Sequence, residues 1–160
     1  MNLKFFTPIL MSLALVALPL FAAPSRAAGN VEVEADQMEI IDTEHKTIFT
    51  GNVISTRPSE TIKADEMVVT SADVKQADGT TKTVTDKVDA KGHVTINTKS
   101  QTITGGTAIF HVQENTLEVI GNVHVTQGAS NLRGEHLNVD LTTNHLQMSG
   151  GRVKGSFVPK

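Results

Sequence analysis

The chain has 160 residues, with 14 Lys and Arg against 17 Asp and Glu, a formal charge of −3 and no cysteine. This length suits one domain with one core, and the absence of cysteine leaves an exported domain to be held by its core and strand ladders rather than by disulfides. No basic tract or aromatic–basic cluster marks a nucleic-acid surface.

Lys4 precedes an apolar run from Phe5 to Phe21, and Ala22-Ala23-Pro24-Ser25-Arg26-Ala27-Ala28 follows. Ser25-x-Ala27 fits the small-x-small rule, so residues 1–27 are predicted to be a secretory signal cleaved near Ala27. The competing reading is an uncleaved membrane anchor. Pro8 and Pro19 within the run, and the small residues after it, weigh against a stable span. The predicted domain is residues 28–160. Without Lys4 and Arg26 it carries 12 basic against 17 acidic residues, a formal charge of −5. An exported domain without cysteine fits the periplasm of a Gram-negative cell.

After residue 30, apolar and polar residues alternate and helical periodicity is missing, as in Leu117-Glu118-Val119-Ile120. The chain then repeats. Gly51-Asn52-Val53, Gly92-His93-Val94 and Gly121-Asn122-Val123 are followed by a degenerate copy at Gly150, at spacings of 41, 29 and 29 residues. The first spacing is longer by 12 residues, which predicts a polar turn insertion at about 73–84. A second small residue lies 13 positions after each glycine, at Ala64, Gly105 and Gly134. Ala35 lies 16 before Gly51 and opens a leading half-unit. Each unit therefore holds two strands of eight to eleven residues with a small residue at the middle of each. Glycine in mid-strand marks a bend or a close backbone approach. Bends at equivalent places would fold the whole sheet over along common lines. The fourth copy, Gly150-Gly151-Arg152-Val153, carries one extra residue, as a bulge would.

The two faces can be counted. Positions −4, −2, +2, +4, +11, +13, +16 and +18 from the three full glycines give 24 residues, and all but Thr47 and Ser55 are apolar or Gly. The outward positions give 18, of which only Ile48, Ile54, Val68, Ile109 and Ile120 are apolar. One oily face and one wet face predict an all-β antiparallel meander of bent strands, doubled into two layers over an apolar interior.

Ala35-Asp36-Gln37-Met38, Phe49-Thr50-Gly51-Asn52-Val53, Ile62-Lys63-Ala64-Asp65-Glu66-Met67 and Ile120-Gly121-Asn122-Val123 resemble the OstA-like (LptA) family over about residues 31–153. Gly105-Gly106 and Gly134-Glu135 depart from its Ala-Asp pattern. The resemblance implies an open, twisted two-layer β-jellyroll that shields the lipid A acyl chains of lipopolysaccharide. It also implies end-to-end joining through edge strands, to further copies and to OstA-like domains of an inner-membrane partner, LptC, and an outer-membrane partner, LptD. The result would be a bridge across the periplasm. No phosphate-binding loop is present, so the chain is read as a non-enzymatic carrier without cofactor, driven from elsewhere.

Under that resemblance the candidate lipid contacts are the inward residues Phe49, Val53, Ile62, Met67 and Ile96, with Phe110, Val119, Leu137 and Met148. Large or flexible side chains among them suit a variable acyl load. The candidate assembly edges are Val31, Val33, Ala35 and Met38 at one end, and Leu146, Met148 and Val153 at the other. Two rival readings share the same residues: an inner-membrane-anchored relative of the LptC kind, and a carbohydrate-binding or structural β-solenoid.

Other constellations read as ordinary structure. The six histidines lack a carboxylate or cysteine set at ligand spacing, so no metal site is expected. Asp36 and Asp65 could pass for a glycosidase pair. Asp at a bend more often bonds nearby backbone, and later copies carry Gly106 and Glu135 there. Lys63, Arg133, Arg152 and Lys154 read as solvated charge, with phosphates of the lipid headgroup as the sharper alternative.

Overall fold

The computed structural model describes residues 31–158, so the leader expected over 1–27 lies outside the described residues. Ten strands follow in order: β1 (Glu32–Glu34), β2 (Gln37–Ile41), β3 (Lys46–Arg57), β4 (Glu60–Lys75), β5 (Thr81–Thr98), β6 (Thr102–His111), β7 (Thr116–Gln127), β8 (Ser130–Asp140), β9 (His145–Ser149) and β10 (Lys154–Ser156). A 3₁₀ turn at Asp42–Glu44 joins β2 to β3. All pairs are antiparallel and β3 to β8 pair in sequence order, the meander that alternation predicted. β1 and β2 both pair with β3, and β9 and β10 both pair with β8. The sheet therefore stays open.

The repeated glycine is a crease. Gly51 and Asn52 have φ of 82° and 47°, Gly92 and His93 77° and 48°, Gly121 and Asn122 88° and 48°. Each pair stands opposite a single residue: the register skips from Thr50 to Val53, from Lys91 to Val94 and from Ile120 to Val123. Two residues against one is the count of a β-bulge, which bends the strand and increases its twist. Two successive left-handed residues demand Gly first, and a short polar side chain such as Asn is tolerated second. Space makes the same demand. A Cβ on Gly51 would collide with the Asp36 carboxylate, and one on Gly92 with that of Asp65.

Gly150 and Gly151, at φ of 78° and 68°, repeat the crease in the fourth copy. Ser149 then pairs with His136 and Lys154 with Arg133, leaving Gly150 to Val153 opposite Gly134 and Glu135. In the preceding copy only Gly121 to Val123 span that interval, so the fourth copy does contain an extra residue.

Among the described residues, every fully buried one belongs to the 24 inward positions of the sequence count, and none of those 24 is exposed. Buried residues from both sides of the crease form one cluster, with Val53 and Val123 on one side and Met67 and Leu137 on the other. A direct contact also closes the layers on each other. Arg57, at the far end of β3, lies 5.5 Å from the ring centroid of Phe110 in β6, with β4 and β5 between them in the sheet order.

Two expectations are corrected. β6 and β8 keep to the expected eight to eleven residues, at 10 and 11, while β3, β4, β5 and β7 are longer, from 12 to 18. The predicted polar turn at 73–84 is mostly strand: Ala72 to Lys75 pair with Val84 to Thr81, and the turn itself is residues 76–80. Val74, Val84 and alternating threonines supply β-branched residues, and Gly79 at φ 84° supplies the reversal. Asp78 fastens that turn by accepting from the Thr80 N–H at 2.9 Å and its hydroxyl at 2.6 Å.

Candidate groove and sheet edges

The inward candidates fall into two groups. Val53, Met67, Ile96, Val119 and Leu137 are sealed in the core, at 2 % exposure or less. Phe49, Ile62, Phe110 and Met148 are half-buried and pack against that core from its margins. The interior is thus filled by its own side chains. Each fully buried apolar side chain of this kind contributes about 1.5–3 kcal/mol.

The second small residue of each unit makes room for a larger neighbour. A Cβ on Gly105 would lie 2.5 Å from Val119 Cγ1, and one on Gly134 would lie 2.6 Å from Met148 Cγ. Ala64, the equivalent in the first unit, is itself buried.

Arg57 directly precedes Pro58 and the turn that follows β3. It continues the inward parity of Val53 and Ser55 and ends β3. Its guanidinium pairs with Glu60 at 3.1 Å, while its buried Nε has no partner. A cation at the margin of an apolar interior is the feature that the sequence reading missed, and counting two residues past Ser55 would have found it.

At the edges, Val33 stands opposite Ser55 and Met38 opposite Phe49, both on inward rows. Met38 and its neighbour Ile40 on the same face are each 60 % exposed. Val31 precedes β1 and is exposed, and Ala35 lies half-buried between β1 and β2. At the other edge Leu146 and Met148 stand opposite Val139 and Leu137. Val153 lies between β9 and β10 and is exposed.

The acids at the creases do not bond their own backbone. Asp36 accepts from the Asn52 side-chain amide at 2.9 Å, Asp65 Oδ2 lies 2.8 Å from His93 Nδ1, and Glu135 accepts from the Asn122 N–H at 3.1 Å. They tie adjacent strands together across the crease. Asp36 and Asp65 each serve a separate crease rather than one shared site. His136 lies beside Glu118 on the outer face. Among the described residues, no three of His, Asp and Glu gather as a metal would require.

Fold and edges together define an open antiparallel β-jellyroll with an apolar interior and a free strand edge at each end. Residues 32–145 match the family described as LptA/(LptD N-terminal domain) LPS transport protein. The chain belongs to that family, one of transport rather than catalysis by its description. An uncharacterized protein of Rhizobium meliloti (strain 1021) is 30% identical over 137 residues, covering 81% of this chain and 72% of that protein. The crystal structure of LptH, described as the LptA homologous periplasmic component of the lipopolysaccharide transport device of Pseudomonas aeruginosa, superposes with a TM-score of 0.70. The two share 18% identity, with 85% of this chain and 100% of that chain covered, so the likeness is one of fold.

Proposed function

We propose that this protein is a periplasmic carrier of lipopolysaccharide that shields lipid A acyl chains between its two layers and joins end to end into a bridge between the membranes. The observation that carries the reading is the set of inward apolar rows. In the layer that holds Phe49 and Met67 they run without a register break from Met38 and Ile40 on β2 to Met148 and Leu146 on β9, and at the β2 edge they end uncovered. A globular core normally closes over such residues. Here an apolar surface leads out through the edge of the sheet.

The sealed residues require the layers to part when a lipid enters. Side-chain contacts are then exchanged for acyl contacts, so the exchange is close to neutral per unit area. The gain comes from the lipid: each methylene removed from water is worth about 0.8 kcal/mol. The inner-membrane LptC and the outer-membrane LptD are the proposed partners, through OstA-like domains that extend the sheet by strand addition.

Photo-crosslinking tests the reading. Probes at Phe49 and Phe110 are expected to capture lipopolysaccharide, while probes at outward Asn52 and His93 are not. Adducts confined to the outward pair refute an interior groove. The mature N-terminus separates this reading from a membrane-anchored relative: a protein that begins near Ala28 supports a free carrier, and an intact Met1–Phe21 contradicts it.

A further inference from the structure

The two ends of the sheet carry opposite charge. Residues 31–42 contain Glu32, Glu34, Asp36, Glu39 and Asp42 and no Lys or Arg. Residues 141–160 contain Arg152, Lys154 and Lys160 and no Asp or Glu. Among the described residues, Glu32, Glu34, Arg133, Arg152 and Lys154 take no part in an ion pair within 4.0 Å. At the basic end, His124, Arg133 and Lys154 stand directly opposite one another on β7, β8 and β10. The like charges of Arg133 and Lys154, placed so, are unfavourable without an acidic neighbour.

The register links this ladder to the acidic edge. A single outward row of directly opposed residues begins at Glu34, passes Ile54 and Lys63, crosses β5 and β6, and ends at His124, Arg133 and Lys154. Glu34 and Lys154 are therefore the two ends of one row, at the same distance from the crease. Strand directions also match. β1 runs toward the crease and β10 away from it, and β9 runs toward it and β2 away. A second copy that places β1 beside β10 and β2 beside β9 continues the antiparallel alternation through both layers.

We propose that the basic edge receives the acidic edge of a second copy of this chain in one register. In it Glu34 of the next copy stands opposite Lys154, Val33 opposite Gly155, Met38 opposite Met148 and Ile40 opposite Leu146. The inference rests on the end-to-end joining proposed above and specifies its register and its ionic component. A slip of one residue turns Met38 and Ile40 out of the inward rows. A slip of two breaks the alignment of the creases. Charge complementarity between the ends disfavours head-to-head and tail-to-tail pairs, and salt screens it.

The chain has no cysteine, so paired cysteines report the register directly. Glu34→Cys protein mixed with Lys154→Cys protein is expected to crosslink faster than Glu32→Cys mixed with Lys154→Cys. Equal or reversed rates overturn the register. Lys154→Glu is expected to weaken self-association about two- to fivefold at low salt, with Glu34→Lys restoring it in the same chain. An association that ignores both substitutions and salt overturns the ionic component. A wild-type protein that stays monomeric in light scattering at high concentration removes the end-to-end joining itself. Association without the Glu34–Lys154 crosslink removes only this register.

Discussion

Asp65 Oδ2 lies 2.8 Å from His93 Nδ1 across the crease, and the carboxylate occupies the space where a side chain on Gly92 would stand. The relationship recurs one unit earlier, with Asp36 against Gly51 and Asn52. An acid at the crease and a Gly-led left-handed pair on the neighbouring strand thus form a single device.

Gly92→Ala should break that device in two ways, by forcing a Cβ into φ 77° and into the Asp65 carboxylate. The expected cost is about 1–3 kcal/mol, read as a lower melting temperature by circular dichroism. Asp65→Ala in the same chain should recover part of the loss, since it removes the collision and leaves the backbone term. A double mutant no more stable than Gly92→Ala would contradict the steric account.

Gly105→Ala should be costly for a different reason. Its backbone is ordinary, but the new methyl meets Val119 Cγ1, on a β-branched side chain with 0% exposure. Overpacking of this kind costs about 1–3 kcal/mol. Gly134→Ala meets the flexible Met148 instead and should cost less, so denaturant midpoints should rank the two variants in that order.

Leu137→Ala should lower stability by about 2–5 kcal/mol, because the residue is fully buried where both layers meet. If acyl chains displace this core, bound lipid fills the cavity and the melting-temperature gap between wild type and variant narrows when lipopolysaccharide is added. A gap that stays constant would argue against lipid reaching Leu137.

Acid should act on the β8–β9 turn. The backbone N–H groups of Thr143 and Thr142 donate to Asp140 at 3.0 and 2.8 Å and hold its carboxyl below the ordinary value of 3.8. A depressed carboxyl contributes stability that is fully present above its unfolded value and is lost as pH falls through the folded one. Asp140→Asn should therefore flatten the decline of stability below about pH 4. Identical acid slopes in the two proteins would exclude this contribution.

The faces of the sheet could be read from the sequence because strand periodicity is two, and every buried residue lies on the inward count. The creases could be read because a glycine leads each left-handed pair. Gly51, Gly92 and Gly121 announced them, and Gly150 marked the fourth. The hairpin at 72–84 was misread because its charged, polar composition resembles a turn, while strand pairing there depends on alternating Val and Thr. Arg57 was not legible as an inward residue because the adjacent Pro58 reads as the start of a turn. The closure of the interior had no signal, since alternation tells which way a side chain points and not how far away the facing layer stands.

Because the left-handed pairs among the described residues fall on β3, β5 and β7 and between β9 and β10, the crease behaves like the stitched spine of a book. The even strands β4, β6 and β8 pass through it without a left-handed residue, so its angle is set at discrete stitches. If the leaves part as the proposed loading requires, the opening would be greatest at the fore-edge, where Arg57 rests on Phe110. The stitches stand at matching register positions in successive units, so under the proposed joining a volume bound after this one would continue the same fold line.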